Sequence, residues 1–248
     1  MRLTQLNDFC RDYLRIDDFN DYCPNGLQVE SNDEVKHIVS GVTASLALIE
    51  AAIDAGADTI MVHHGYFWKG EPACLTGMKG RRVRRLIRNN INLFGYHLPL
   101  DAHPEVGNNV QLARVMNWSI GEAFGDQDIV FEGAVENAQT LEQFAEDVKS
   151  RLGGEPLAIA GGDHSVQRIA WCTGAAQGFI EAAAARGVDA FVSGEVSEPT
   201  FHMARELGIH YIAAGHHATE RYGIQALGVK IAERFGVTHE FIDIPNPV

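Results

Sequence analysis

The stretch Ile38-Val39-Ser40-Gly41-Val42, then Ser45 to Ala55, Gly56, and Thr59-Ile60-Met61-Val62-His63-His64-Gly65 sets the architecture of this chain. Short apolar runs rich in β-branched residues read as buried strands, and the amphipathic segment between them reads as a helix. Gly56 is well placed to end that helix in a left-handed conformation. Strand, helix and strand in this order form a βαβ unit. Reading outward, a basic helix around Arg81 to Asn90 follows, and the strand Ile91-Asn92-Leu93-Phe94 then runs into His97.

The same grammar returns later. Ile169 to Cys172 reads as a strand, Gln177 to Arg186 as a helix stopped by Gly187, and Ala190-Phe191-Val192 as a strand. A helix from Pro199 to Leu207 and the strand Ile209 to Ile212 come next, leading into Gly215-His216-His217. A shift of 131 places superimposes Ile49-Glu50-Ala51-Ala52 on Ile180-Glu181-Ala182-Ala183, Gly56 on Gly187 and Asp58 on Asp189. The expectation is therefore an α/β protein of two related, interlinked lobes from an internal duplication, residues 1–125 and 126–248. Between the repeats, Leu141 to Leu152 reads as a helix, and Asn108 and Asn109 as helix-capping residues.

Composition narrows the function. The 248 residues carry 20 Lys+Arg against 33 Asp+Glu, a net charge of −13. Such a surface repels phosphate backbones at long range and disfavours nucleic acid as a partner. No run approaches the ~18 apolar residues that span a bilayer, which argues against a membrane role. The N-terminus lacks a signal-peptide pattern. Cys10, Cys23, Cys74 and Cys172 show no paired spacing. A disulfide framework is unusual in a chain this long, so a cytoplasmic protein with reduced thiols is expected.

Three polar clusters fall at the C-terminal ends of predicted strands, the edge where ligands collect in open α/β sheets. They are His63-His64, His97-Leu98-Pro99-Leu100-Asp101, and His216-His217-Ala218-Thr219-Glu220. A shift of 119 places His97 on His216 and Asp101 on Glu220, so a His-x-x-x-carboxylate occurs once per lobe. Where the first lobe has His63-His64, the second offers Gly194-Glu195. Imidazole and carboxylate are the ligand pair expected for zinc, iron or manganese. So many ligand-type groups exceed the needs of one four-coordinate ion and suit two ions roughly 3.5–4 Å apart. Successive strand side chains point to opposite faces, so His63 and His64 share a site only if the chain bends, which Gly65 permits.

The segments Pro24-Asn25-Gly26-Leu27-Gln28-Val29, Val62-His63-His64-Gly65-Tyr66-Phe67-Trp68, His97 to Asp101, Ser193-Gly194-Glu195 and Gly215 to Glu220 resemble those of the Nif-three-like family of GTP cyclohydrolase I type 2 homologues. The likeness spans essentially the whole chain and is closest to the short bacterial members, some labelled radiation-resistance proteins. It implies a dinuclear centre of two divalent ions per subunit in the cleft between the lobes, and a homohexameric ring. It also implies the ligand set His63, His64, Asp101, His216 and Glu220. His97, by its equivalence to His216, is expected within reach of the metals, as a ligand or a proton-handling group. Glu195 is expected as an acceptor for a ligating imidazole or as a base. His217 stands outside the ligand set.

Lys79, Arg81, Arg82, Arg84, Arg85 and Arg88 concentrate basic charge in one segment. It reads as a solvated helix face, with Arg81, Arg82, Arg84 and Arg85 also able to form an anion rim that steers a phosphorylated substrate. Tyr66, Phe67 and Trp68 read as packing residues that could also stack on a planar base. The expected function is a metal-dependent hydrolase acting on a nucleotide or phosphorylated small molecule. A metal storage or delivery protein and a ring-shaped scaffold on nucleic acid are the rival readings.

Overall fold

The computed structural model describes residues 1–248. The chain divides into Met1–Gly107 with Gly223–Pro245, and Asn108–Tyr222 with Asn246–Val248. The first unit begins with helix α1 (Leu3–Leu14), strands β1 (Gly26–Val29) and β2 (His37–Thr43), and helix α2 (Leu46–Asp54). Strand β3 (Thr59–His64), helix α3 (Gly77–Arg88), strand β4 (Asn92–Gly95) and the short helix α4 (Leu98–Ala102) follow. The Ser45 hydroxyl accepts from the Leu48 N–H to cap α2, and Gly56 ends the turn after it at φ +73°.

The second unit holds helix α5 (Asn108–Met116), strands β5 (Ser119–Phe124) and β6 (Val130–Gln139), helix α6 (Leu141–Leu152), and strands β7 (Leu157–Ile159) and β8 (Val166–Cys172). It continues through helix α7 (Ile180–Ala185), strand β9 (Ala190–Ser193), helix α8 (Glu198–Leu207), strand β10 (His210–Ala213) and the short helix α9 (His216–Thr219). Helix α10 (Arg221–Phe235) and strand β11 (Thr238–Phe241) complete the chain. The helix expected from Gln177 is α-helical only from Ile180, its first turn being a 3-10 turn at Gln177–Phe179.

This division differs from the expected 1–125 and 126–248 in two places. Leu112, Ala113 and Met116 of α5 pack into the core with Trp118, Phe144 and Trp171, which assigns α5 to the second unit. Ile224, Leu227 and Ile231 of α10 pack with Leu3, Leu6, Ile38 and Phe94, which returns the C-terminal helix to the first. Each fully buried aliphatic side chain contributes roughly 1.5–3 kcal/mol, so apolar stripes decide where a helix docks.

The first sheet runs β1-β4-β3-β2-β11, with β2, β3, β4 and β11 parallel and β1 antiparallel at one edge. Side-chain alternation splits its strands. Ile38, Met61 and Phe94 share a core with α1 and α10, while Val39, Ile60, Val62 and Leu93 share one with α2 and α3. The second sheet runs β5-β6-β8-β9-β10-β7, parallel only through β8, β9 and β10.

Register shows how alike the units are. Ile38 pairs with Thr59 in the first unit, and Ile169 with Ala190 in the second, both displaced by the same 131 places. Asp58 Oδ2 accepts from the N–H groups of Lys36 and His37 at 2.8 and 3.0 Å. Asp189 Oδ2 accepts from those of Gln167 and Arg168, again 131 residues on, at 2.9 and 2.7 Å. One carboxylate thus pins the start of the equivalent strand in each unit. The Asn109 amide donates to Ile129 O and its Oδ1 accepts from the Thr173 N–H, tying α5 to the sheet of its own unit.

Candidate metal centre

In the first unit, β3 delivers His63 and His64 as its last two residues and β4 leads directly into His97. The imidazole centroids of His63 and His64 are 4.5 Å apart, and that of His97 lies 5.2 Å from the first and 6.0 Å from the second. The three offer ring nitrogens all within 4.8 Å of one another. A Cβ on Gly65 would lie 2.1 Å from Gln28 Oε1, so glycine leaves room for the Gln28 amide, which accepts from the Tyr66 N–H at 2.7 Å.

Each imidazole is oriented through Nδ1. His63, fully buried, donates Nδ1–H to Tyr96 O at 2.8 Å. Its Nε2 faces Asp101 Oδ1 at 3.5 Å. His64 Nδ1 meets the Thr43 hydroxyl at 3.2 Å. His97 donates Nδ1–H to Asp21 Oδ1 at 2.8 Å.

Asp21 escaped the sequence reading, because its link to His97 spans 76 residues and no spacing reveals it. Its other oxygen accepts from the Leu98 N–H at 3.0 Å and the Asn25 amide at 2.9 Å. Asn25 Oδ1 in turn accepts from the His97 N–H at 2.7 Å. Burial alone would raise the Asp21 carboxyl, but the hydrogen bond and charge offered by His97, with Asn25 and Leu98, hold it at about 2. The segment Pro24 to Val29 is thereby explained: Asn25 and Gln28 brace the loops that follow β4 and β3. Cys23 lies near Asp21 and His97, but burial and then the Asp21 charge push its thiol up, which disfavours the thiolate a metal would need.

In the second unit, β10 leads into Gly215 and α9. His216 places Nδ1 2.7 Å from Glu195 Oε1 and Nε2 3.0 Å from Glu220 Oε2. Burial alone would lower the imidazole, but Glu220 and then Glu195 outweigh it and bring its pKa to about 9. The backbone makes room for this clamp. A Cβ on Gly174, at φ +68°, would stand 2.0 Å from Glu220 Oε1 and 3.2 Å from His216 Nε2. His217 is buried and its N–H donates to Val248 O at 2.8 Å.

The first unit thus gathers His63, His64, His97 and Asp101, and the second gathers Glu195, His216 and Glu220. Two of the six basic side chains in the segment are engaged elsewhere. Arg85 Nε donates to Glu50 at 2.8 Å and Lys79 donates to Pro72 O at 2.5 Å, while Arg81 and Arg84 are exposed and Arg82 is half-buried. No helix is long and apolar enough to cross a membrane.

Comparison with known proteins gives a consistent picture. The chain matches the description Duf34/NIF3 (NGG1p interacting factor 3) over residues 1–247. It is 56% identical over 248 residues to a Pseudomonas aeruginosa protein named GTP cyclohydrolase 1 type 2 homolog, covering 99% of this chain and 98% of that one. A Vibrio cholerae protein of the same name is 52% identical with full coverage of both. Among solved structures, the protein ybgI, described as of unknown function, superimposes with a TM-score of 0.97 at 49% identity, covering both chains fully. A Thermus thermophilus protein does so at 0.91 and 34%, again over both full lengths.

Proposed function

The chain belongs to the Duf34/NIF3 family, and from that premise we propose that it is a cytoplasmic dinuclear-metal hydrolase acting on a nucleotide or phosphorylated small molecule. The proposed ligands are His63, His64, Asp101, His216 and Glu220, drawn from both units. One observation carries the reading. His63, at the end of a buried strand, spends Nδ1–H on a backbone carbonyl and turns Nε2 towards a carboxylate, the orientation a metal-ligating histidine adopts. A histidine kept only for packing has no need of an acid in that direction.

Divalent ions held by these groups, whether iron, zinc or manganese, would supply Lewis acidity, polarising the electrophile and acidifying water. The chain's own residues do the rest. Glu195 holds His216 through Nδ1, so it acts as a positioning carboxylate and leaves Nε2 for a ligand role. His97 has Nδ1–H committed to Asp21, and its Nε2 is the atom that accepts and returns a proton. Arg81 and Arg84 offer exposed positive charge to a phosphorylated substrate.

Assembly into a homohexameric ring belongs to this proposal. It is supported by family membership and by β5, an edge strand exposed along most of its length. Light scattering on the purified protein tests it, and a monomer at micromolar concentration would rule it out.

Elemental analysis of gently purified protein, followed by a metal-dependent activity screen, tests the centre itself. Two divalent ions per chain are expected. Asp101→Ala should retain the fold while losing metal and turnover; unchanged turnover in that variant ends the hydrolase reading. Metal that passes readily to an acceptor, without turnover on nucleotide and phosphoester panels, would favour storage or delivery instead.

A further inference from the structure

Beside the three imidazoles of the first unit stand two aromatic rings that the metal reading leaves unused. Trp68 meets His97 edge-on, with centroids 4.9 Å apart and planes at 80°, and lies 6.1 Å from His64. Tyr22 lies 5.5 Å from His97 at 54°. Tyr22 is 56% exposed and Trp68 is half-buried, whereas Trp118 and Trp171 are buried in the core of the second unit. Burial therefore does not account for Tyr22, and accounts for only part of Trp68.

Both rings sit on loops that are fixed in place. The Lys69 N–H donates to Tyr22 O at 2.6 Å, joining the two loops, and the Tyr22 N–H donates to Asp21 Oδ1 at 2.7 Å. Glu71 accepts from the N–H groups of Phe67 and Trp68 at 2.9 and 3.2 Å, and Lys79 donates to the same carboxylate at 3.4 Å. The indole N–H of Trp68 donates to Gly65 O at 3.1 Å. Phe67 adopts φ +67°, a left-handed conformation that a bulky side chain takes only when its surroundings impose it. Two exposed or half-exposed rings held this firmly around one imidazole form a preorganised surface.

We propose that Tyr22 and Trp68 form a stacking subsite for a planar heteroaromatic ring, so that the substrate is a nucleobase-bearing or similar fused-ring compound whose reacting portion lies over His63, His64 and His97. This rests on the metal-centre reading for its chemistry, but the subsite can be tested separately. Aliphatic groups gain little from aromatic faces beyond burial, whereas a base offers its own π-face to each ring and stacks without regard to its hydrogen-bonding edge.

The test uses the full chain, with and without bound zinc, titrated with GMP, AMP and ribose 5-phosphate. Binding is read by equilibrium dialysis and by quenching of tryptophan emission. The two nucleotides should bind at least about tenfold more tightly than ribose 5-phosphate and quench the emission, since one stacked base contributes on that scale. Trp68→Leu and Tyr22→Leu should each weaken nucleotide binding about 5- to 100-fold, leaving ribose 5-phosphate binding and zinc content as in the unaltered protein. Trp68→Phe, which keeps a ring, should recover part of the loss. Equal binding of nucleotide and ribose 5-phosphate, or leucine variants that bind nucleotide normally, would overturn the subsite. Failure to retain zinc with base preference intact counts against the metal centre and for the subsite.

Discussion

His97 and His216 stand 119 residues apart at equivalent strand ends, and each gives Nδ1–H to a carboxylate, at 2.8 and 2.7 Å. The carboxylates are not equivalent. Glu195 occupies the place of His64 under the 131-residue shift, whereas Asp21 comes from a segment before β1. By taking its orienting acid from elsewhere, the first unit releases the end of β3 for a second adjacent histidine. The second unit spends that position on orientation and keeps one imidazole between two acids. One unit therefore gathers three imidazoles around one acid, and the other sets a single imidazole between two acids that favour its protonated form.

The largest effect that tests this contrast is on stability without metal. Glu220→Gln should destabilise the protein by about 3 kcal/mol, because it breaks a nearly buried ion pair. Asp101→Asn should cost about 1 kcal/mol, since His63 Nδ1–H already has a backbone partner. Urea denaturation at pH 7 reads both, and a larger loss at Asp101 would break the comparison. The same logic predicts an alkaline limb. The folded pKa of His216, about 9, lies above the ordinary value of 6.5. Its contribution is thus complete below about pH 6.5 and is lost as pH rises through about 9. Zinc, by replacing the proton, should flatten that limb.

Next in size are the orienting carboxylates. Glu195→Gln should weaken zinc binding by about 10- to 100-fold, the usual cost of losing such a partner. Asp21→Asn should leave zinc affinity near that of the unaltered protein while lowering turnover by a similar factor, if His97 handles the proton. An equal loss of zinc in both variants would sharpen the comparison differently, by making His97 a ligand like its counterpart His216. The dialysis constant and the turnover number separate the two outcomes.

The smallest effect lies on the acid side and belongs to the first unit. Burial lowers the pKa of His103 and of His239 below 6.5, so the neutral rings are favoured in the folded state. Their contribution is complete above about pH 6.5 and falls away as pH drops below it. His239→Gln should reduce the steepness of acid unfolding between pH 6.5 and 5 without moving the alkaline limb.

Local pattern carried far into this molecule. The parallel strands are apolar runs, the helices between them are amphipathic, and the glycines that end α2 and α7 lie at their boundaries. The gathering of His63, His64 and His97, and the position of His216, were legible because each ends or follows a parallel strand at the same edge of its sheet. Asp21 and Gln28 were not, since their meaning lies in contacts with segments dozens of residues away. Gly174 was equally silent, because space for Glu220 adds to its left-handed φ of +68° as a reason for glycine, and no spacing reveals that space. The lobe boundary was misplaced because α10 has an apolar stripe that any core could accept, and only tertiary packing assigns it to the first unit.

That return of α10 and β11 has a consequence for biosynthesis. Strand β11 pairs with β2 from Thr238↔His37 to Phe241↔Ser40, and the Ser40 hydroxyl meets His239 Nε2 at 2.8 Å. Residues 37–40 must therefore wait for residues 238–241 to be synthesised before their sheet is complete, and most of the second unit is made in between. Synthesis therefore supplies most of the second unit, all but Asn246–Val248, before the first can close its sheet.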